Sequence, residues 1–362
     1  MRPEAATERS KELYTMPQES PRIRFRLVTR PAIKRLAILS LLANGFLVWA
    51  YFAMIHMPGK SHHGPLPSLS AEQEALRDAL RDDIDTLARK IGDRNVFRHE
   101  NLAAAAAFLE TSLAEAGYEV ARQEFEVSDT TCVNLEAEIT GASRPEEIVV
   151  VGGHYDSVFG CPAANDNASG TAATLALARA FAGTKPARTV RFVLFTNEEP
   201  PHFQTPQMGS LVYARRCRAR GERIVAMLSL ETIGYYSDAD DSQGYPFPFG
   251  LFYPTTGNFI AFVGNVSSRG LVRDCVASFR RHARFPSEGG ALPSFIGGVG
   301  WSDHWSFWQE GYPALMVTDT APFRYPHYHT HEDTPDKLDY DRMALVVAGL
   351  EKVVGDLVNP AE

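Results

Sequence analysis

Cysteine is scarce in this sequence, and no residue type dominates its composition. The 362 residues include four cysteines, which are too few to build a disulfide scaffold. Apolar residues make up 44% and charged residues 22%, which excludes a disordered, collagen-like or coiled-coil chain. The length is enough for one large α/β domain or for two ordinary domains.

Positive charge is also in short supply, except at the N-terminus. The net charge is −8, although residues 1–35 contain nine Lys or Arg and only four Glu. The remainder of the chain is therefore strongly acidic, which argues against nucleic acid as a partner. The basic segment and the acidic body need separate explanations.

Charged residues are absent from residues 36–57, a run of 22 residues that could span a bilayer as a helix. Six Lys or Arg lie just before it. The positive-inside rule predicts a basic cytoplasmic tail at 1–35, a transmembrane anchor at 36–57 and an extracytoplasmic (periplasmic or extracellular) remainder. A cleaved signal peptide is one alternative, with a shorter apolar core of about 7–15 residues. A buried helix of a soluble protein is another, but such helices are seldom apolar on every face.

The segment that follows the apolar run changes composition. Residues 58–69 are rich in Pro, Gly, Ser and His and are predicted to form a linker. Residues 70–362 show no further break, so we expect a single domain there. The spacing of Ser70 and Gln73 predicts a capping box at the start of a helix, and a second helix is expected over about 99–117.

Five apolar runs are typical of strands buried on both faces, and helical runs such as 168–182 and 207–220 lie between several of them. This alternation predicts an α/β domain with a mostly parallel central sheet flanked by helices. In such a sheet, ligands bind beyond the carboxyl ends of the strands. The predicted strands are 147–152, 189–196, 224–230, 259–264 and 313–318.

Side chains that can bind metals follow the predicted strands in succession and recur in a histidine-rich segment near the C-terminus. Imidazole and carboxylate groups suit Zn²⁺, and there are more of them than one tetrahedral ion needs. The pattern predicts two metal ions that share a carboxylate, with another carboxylate free for proton transfer. Taken singly, Asp166 could be a helix N-cap and Glu198–Glu199 a solvated pair. The candidates are His154, Asp156, Asp166, Glu198, Glu199, Glu231 and the alternating histidines His327, His329 and His331, of which one or two could be surface residues.

Five motifs, in this order along the chain, resemble those of the M28 family of zinc peptidases, which includes co-catalytic aminopeptidases. The resemblance covers roughly residues 100–355, and it is the combination of motifs that is specific. It implies a zinc-peptidase fold, two Zn²⁺ ions per chain and peptide substrates. The motifs are His154-Tyr155-Asp156-Ser157, Asp166-Asn167-Ala168-Ser169-Gly170, Asn197-Glu198-Glu199, Ser302-Asp303-His304 and His329-Thr330-His331-Glu332-Asp333-Thr334.

The resemblance also implies which residues bind each metal ion. Asp166 would bridge both ions, His154 and Glu231 would complete one site, and Glu199 and His329 would complete the other. Most members have Asp where this chain has Glu231, and the longer side chain could still reach a metal with altered geometry. Three acidic residues lie nearby as substitutes, namely Asp238, Asp240 and Asp241.

Three further roles follow from the resemblance. Glu198 would be the general base that deprotonates the water shared by the metals. Asp156 would orient the imidazole of His154, and Tyr328 would stabilise the tetrahedral oxyanion. We therefore expect a membrane-anchored di-zinc aminopeptidase that removes N-terminal residues from peptides.

Other activities on this scaffold remain open from the sequence. A glutaminyl cyclase-like enzyme would use one zinc ion, and a carboxypeptidase or a non-catalytic binding ectodomain would also fit the scaffold. The metal-binding motifs contain no Lys or Arg to receive a C-terminal carboxylate, although Arg215, Arg216 or Arg324 could fold towards it. The sequence does not indicate the oligomeric state.

Two local features are ambiguous. The aromatic stretch 244–254 could line a substrate pocket or could pack as core and loop. Cys132 and Cys161 could form a disulfide outside the cytoplasm or stay as thiols. Cys217 and Cys275 fall in helical patterns and are expected to be buried thiols.

Overall fold

The computed structural model describes residues 29–127 and 129–360, so most of the predicted basic tail at 1–35 lies outside the described residues. The chain divides between Val48 and Trp49 into two compact units. The second unit contains every strand of the described chain and the whole candidate site.

A long apolar helix precedes the strands. Helix α1 (Arg30–Ala50) continues through a π-helical turn that ends at Ile55. Over Arg30–Ile55 the helix is long and apolar enough to cross a membrane, and a signal sequence near an N-terminus would meet the same criteria. The helix includes most of the predicted anchor at 36–57.

The second unit is built on one eight-stranded sheet with the order β1-β2-β4-β3-β5-β8-β6-β7. The pairs β4–β3, β3–β5 and β5–β8 are parallel, whereas β1 and β2 are antiparallel additions at one edge. At the other edge β6 and β7 are parallel to each other, and β6 is antiparallel to β8. The strands are β1 (Val120–Val127), β2 (Thr130–Ile139), β3 (Arg144–His154), β4 (Arg188–Phe195), β5 (Arg223–Glu231), β6 (Ile260–Asn265), β7 (Ser287–Leu292) and β8 (Ala314–Thr318).

Helices cover both faces of this sheet. In β3, Val149 and Val151 belong to the larger hydrophobic cluster, while Ile148 and Val150 belong to a second cluster on the opposite face. Alternate residues of a strand point to opposite faces, so both faces of β3 are buried. The helices are α2 (Ala71–Ile84), α3 (His99–Glu115), α4 (Gly170–Phe181), α5 (Gly209–Ala219), α6 (Arg269–His282), α7 (His304–Gln309) and α8 (Tyr340–Val358).

Local signals account for two helix starts. The predicted capping box at α2 is confirmed, because the Ser70 side chain accepts from the Gln73 N–H and the Gln73 side chain accepts from the Ser70 N–H. Helix α4 begins at Gly170, where a Cβ atom would lie 2.0 Å from the carbonyl oxygen of Leu230. Only glycine permits this close approach of α4 to β5.

The predicted fold class is confirmed, but three strands were not predicted. The sequence of β1 is mostly polar, and β7 contains two glycines and no run of large apolar residues. Such edge strands lack the apolar pattern of central strands. All four cysteines are free and buried, so Cys132 and Cys161 are thiols and form no disulfide.

The predicted linker at 58–69 has no regular secondary structure, but it lies along the domain. The Arg280 side chain donates to the carbonyl oxygen of Pro58 at 3.1 Å. The Ser287 N–H donates to the Ser61 side chain at 2.9 Å. These contacts hold the segment against α6 and β7.

Candidate active site

Parallel strands bring the predicted site residues to one edge of the sheet. Strand β3 ends at His154 and β5 ends at Glu231, while Glu198 and Glu199 follow the end of β4. Asp166 lies in the turn Ala164–Ser169 that leads into α4, where its backbone is non-helical. The structure brings all five candidate ligands together, including His329 from the C-terminal loop.

These ligands form two groups that share Asp166. Its Oδ1 atom lies 3.4 Å from Nε2 of His154, and Oδ2 lies 3.0 Å from Nε2 of His329. Glu231 Oε2 completes the first group at 3.3 Å from the His154 nitrogen. Glu199 Oε2 completes the second at 3.3 Å from the His329 nitrogen. In each group the three ligand atoms lie within 4.8 Å of one another.

Three polar atoms of the two groups lack ordinary hydrogen-bond partners. The Nε2 atoms of His154 and His329 and the Oε1 atom of Glu199 are buried and form no hydrogen bond of acceptable geometry with described residues. Buried polar atoms are normally satisfied, so such orphaned atoms require an explanation. Imidazole and carboxylate donors facing one point are what Zn²⁺ requires, and the site fits that ion.

Electrostatics point to the same conclusion. Burial raises the pKa of Glu199 to about 7 and that of Glu198 well above its usual range. Burial opposes protonation of His329, but its contacts with Asp166 and Glu199 raise its pKa to about 10. Several carboxylates thus share a water-poor space, where a divalent cation would relieve their mutual repulsion.

Asp156 positions two parts of the site. Its carboxylate accepts hydrogen bonds from the backbone N–H groups of Glu198 and Glu199, both at 3.1 Å. One of its oxygens also lies 3.4 Å from Nδ1 of His154. Asp156 therefore connects the imidazole at the end of β3 with the loop that follows β4.

The structure reveals a second positioning carboxylate that sequence reasoning did not single out. Asp333 accepts from the backbone N–H groups of Asn165 and Asp166 at 2.8 and 3.0 Å, and from the Tyr325 hydroxyl at 2.9 Å. It thereby fixes the turn that carries Asp166. Its position within the motif that begins at His329 was the available signal.

Ser302 has a similar effect on Glu231. Its hydroxyl donates to Glu231 Oε2 at 2.7 Å and lies 2.8 Å from the Ser229 hydroxyl. Glu231 is therefore held next to His154 despite its extra methylene. Of the proposed substitutes, Asp238 instead pairs with Arg342 at an exposed position.

Non-glycine residues with positive φ angles lie next to Glu198 and Glu231 and at His329 itself. The values are 58° at Asn197, 44° at Thr232 and 58° at His329. L-residues rarely adopt this region, and such residues cluster at functional sites. Here they change the chain direction just before Glu198, just after Glu231 and at His329.

A pocket opens beside the candidate ligands, and we call it the side pocket. It encloses about 860 Å³, including its open mouth, and both Glu231 and Tyr328 line it. Tyr245 and Tyr253 line it too, so part of the stretch 244–254 forms pocket wall. The Tyr328 ring also stacks on His329, with centroids 3.9 Å apart. The wall is otherwise mostly apolar, and its further residues include Ala261, Glu288, Gly290, Trp301, Thr318 and Phe323.

Known proteins resemble this chain in sequence. The uncharacterized protein YfbL of Escherichia coli is 35% identical over 291 residues, which cover 78% of this chain and 88% of that protein. A probable leucine aminopeptidase of Arthroderma otae is 29% identical over 213 residues, covering 55% of this chain. The match spans only 50% of that fungal protein.

Solved structures share the fold. A zinc aminopeptidase from Bacillus subtilis superposes with a TM-score of 0.63 at 14% identity, covering 82% of this chain and 97% of that one. A Fimbriiglobus ruber glutaminyl cyclase has a TM-score of 0.57 at 21% identity, covering 83% and 99%. The family model of Peptidase family M28 matches residues 134–354. The chain belongs to peptidase family M28.

Proposed function

We propose that this protein is a membrane-anchored, extracytoplasmic aminopeptidase with two zinc ions. The observation that carries the proposal is that two ligand groups lie beside the side pocket. Among the described residues, the charged residues that line this pocket are both acids, Glu231 and Glu288. Such a pocket suits a free α-amine and disfavours a substrate carboxylate.

The two ligand groups would each hold one ion. His154 and Glu231 would bind one zinc ion, Glu199 and His329 the other, and Asp166 would contribute one oxygen to each. When bound, Zn²⁺ supplies Lewis acidity that lowers the pKa of a water molecule and polarises a carbonyl group. Metal analysis of the purified full chain should find two zinc ions per chain.

Glu198 would carry the proton during peptide hydrolysis. Its Oε2 atom lies 3.8 Å from Nε2 of His154, and it belongs to neither ligand group. Burial raises the pKa of this carboxyl, so it can accept a proton from water and later donate it to the leaving amine. Its backbone N–H is held by Asp156, which fixes the reach of the side chain.

Tyr328 would stabilise the oxyanion that develops on the scissile carbonyl. Stacking on His329 places its ring beside one ligand group, and it also lines the side pocket. Its hydroxyl donates to no described residue, which leaves the proton available for a substrate oxygen. A positioned donor of this kind acts mainly on the transition state.

The arginines that could have received a substrate C-terminus are engaged elsewhere. Arg215 lies near Glu310, and Arg216 pairs with Glu136 at 2.6 Å. Arg324 is buried and donates to Gln243 at 2.7 Å, and it does not line the side pocket. This placement supports recognition of the N-terminal end of a peptide.

Mass spectrometry of digests tests the substrate end directly. An unblocked peptide should lose residues one at a time from its N-terminus, and acetylation of its amine should abolish cleavage. Removal of C-terminal residues from the acetylated peptide would overturn the aminopeptidase assignment.

The topology can be tested separately. Residues 1–35 carry an excess of positive charge before the apolar run 36–57, which supports a cytoplasmic N-terminus. Protease added to sealed spheroplasts should digest the domain that follows the helix. Protection of that domain, with cleavage of the N-terminal tail, would invert the orientation.

A glutaminyl cyclase-like activity is the second candidate, because cyclases share the fold. Two ligand groups favour two ions over the single zinc expected of a cyclase. A peptide with N-terminal glutamine distinguishes the reactions: cyclisation releases ammonia and keeps every peptide bond, whereas hydrolysis releases free glutamine.

A further inference from the structure

The sheet places Glu288 on the same side as the candidate ligands. Glu231 is opposite Thr318, Thr318 is opposite Ala261, and Ala261 is opposite Glu288. Opposed residues on neighbouring strands project from the same face, and all four line the side pocket. With strands about 4.8 Å apart, this row spans roughly 14 Å from Glu231 to Glu288.

The carboxylate of Glu288 has acceptor capacity that the protein does not use. Its side chain is 21% exposed, and it accepts no hydrogen bond from any described residue. Burial raises its pKa, which reflects incomplete compensation of its charge. A partly buried carboxylate that no protein donor reaches would gain from a donor on a bound molecule.

Two tyrosines beside Glu288 present their rings and not their hydroxyl groups. The Tyr245 hydroxyl donates to the carbonyl oxygen of Pro254 at 2.7 Å, and that of Tyr253 donates to the Gly289 carbonyl at 2.8 Å. The two rings stack with centroids 5.7 Å apart. Such rings pack against methylene groups and attract cations.

Arg280 does not donate the hydrogen bonds that the Glu288 carboxylate lacks. Its Nη2 atom lies 3.7 Å from Glu288, which is an ion pair without a hydrogen bond. Its N–H groups donate to the carbonyl oxygens of Ser287 and Pro58 at 2.6 and 3.1 Å. Arg280 thus favours the ionised form of Glu288 and leaves its acceptors free.

We infer that the side pocket receives the side chain of the substrate's N-terminal residue and that Glu288 selects Lys or Arg at this position. The distance along the row requires a long side chain, and the free carboxylate requires a cationic donor at its end. The rings of Tyr245 and Tyr253 would pack against the methylene groups of this substrate side chain. This inference depends on the proposed aminopeptidase function.

The test compares isosteric substrates with the zinc-loaded full chain in detergent. Fluorogenic amides of lysine and norleucine differ in charge at nearly constant length, as do those of arginine and citrulline. We expect kcat/KM to favour each charged residue by about 10- to 100-fold, as for a buried charge-assisted contact. Equal rates within each pair would overturn the role of Glu288.

Three variants separate specificity from stability. Glu288→Gln should remove most of the preference, measured as the ratio of kcat/KM for lysine to that for norleucine. Glu288→Asp keeps the charge on a shorter side chain and should retain more preference for arginine than for lysine. The matched control is Glu146→Gln, the same change at an exposed position near the start of β3, the end of that strand farther from His154.

The possible failures are distinguishable. If Glu288→Gln lowers the rates for charged and neutral substrates equally, Glu288 has only a structural role beside Arg280. If the wild type releases neutral residues as readily as charged ones, the specificity is wrong but the aminopeptidase function stands. If no unblocked aminoacyl amide is hydrolysed, the proposed function itself fails and this inference fails with it.

Discussion

The two ligand groups of the site are built in different ways. The strand-held group, His154, Asp166 and Glu231, has two members at the ends of neighbouring parallel strands. The loop-held group, Asp166, Glu199 and His329, has none on a strand. His154 is fully buried, whereas the side chain of His329 is 30% exposed and its backbone has a positive φ.

The difference lies in what fixes each group. The sheet register places His154 and Glu231, and the Thr171 hydroxyl donates to the His154 carbonyl at 2.6 Å. The loop-held group depends on polar contacts between distant loops, such as the Cys161 thiol donating to the Thr330 carbonyl at 2.9 Å. The contacts of a central strand are lost only when the core unfolds, whereas a loop can open locally at a lower free-energy cost. The loop-held group should therefore be the weaker metal site.

The largest expected effect concerns Glu198, which belongs to neither group. Glu198→Gln removes the proton acceptor and should lower kcat by about 10²–10⁴-fold while both zinc ions remain. Kinetics and metal analysis of the same preparation measure the two quantities together. The adjacent Glu199→Gln is the matched control and should lose the loop-held zinc. Loss of zinc in Glu198→Gln would show that Glu198 is a metal ligand, so that it would have to be added to one of the two groups.

The next largest effect concerns Asp333, which accepts two backbone N–H groups from the turn that carries Asp166. Asp333→Asn replaces one acceptor oxygen with an NH₂ group that cannot accept from an N–H. Loss of such an outer contact typically weakens metal binding by about 10–100-fold. Competition with a fluorescent chelator measures the affinity, and the exposed Asp336→Asn is the control. An unchanged affinity for zinc would show that the turn keeps its conformation without the Asp333 contacts.

The sequence led to most of the residues that the structure brings together, and the reasons are local. His154, Glu198 and Glu231 follow runs of buried apolar residues, so the ends of β3, β4 and β5 can be read directly. The motif that begins at His329 pointed to Asp333 without giving its role, because its partner Asp166 lies 167 residues away. Glu288 was missed because β7 lacks an apolar pattern. The position of β7 next to β6 follows only from the order of strands in the sheet.

A smaller effect should appear on stepwise removal of metal. If the loop-held group is the weaker site, a chelator should remove its zinc ion first, at a rate about tenfold higher for each 1.4 kcal/mol of difference in the barrier. His329→Ala, which keeps only the strand-held group, should then show the slow phase alone. A single phase in the wild type, equal to that of His329→Ala, would remove the distinction between the groups.

The smallest effect concerns the segment behind the strand-held group. His304 follows Ser302, which holds Glu231, and its ring is fully buried with Nε2 2.8 Å from the Val299 carbonyl. Its Nδ1 atom has no partner among described residues. Burial lowers the pKa of His304 to about 4, so the ring stays neutral at pH 7 and donates through Nε2.

Acid should therefore destabilise this segment through His304. The unfolded chain has an ordinary histidine pKa near 6.5 and binds more protons than the folded chain between pH 6.5 and pH 4. The contribution of neutral His304 to the free energy of unfolding is complete above pH 6.5. It should fall by about 1 kcal/mol between pH 7 and pH 5.5, since one pKa unit corresponds to about 1.4 kcal/mol.

His304→Gln keeps a donor near Nε2 but cannot be protonated, so its unfolding free energy should change less between these pH values. Urea unfolding of both proteins at the two pH values gives this double difference, in which the titration of all other groups cancels. An equal change in both would show that His304 is not the group through which acid acts.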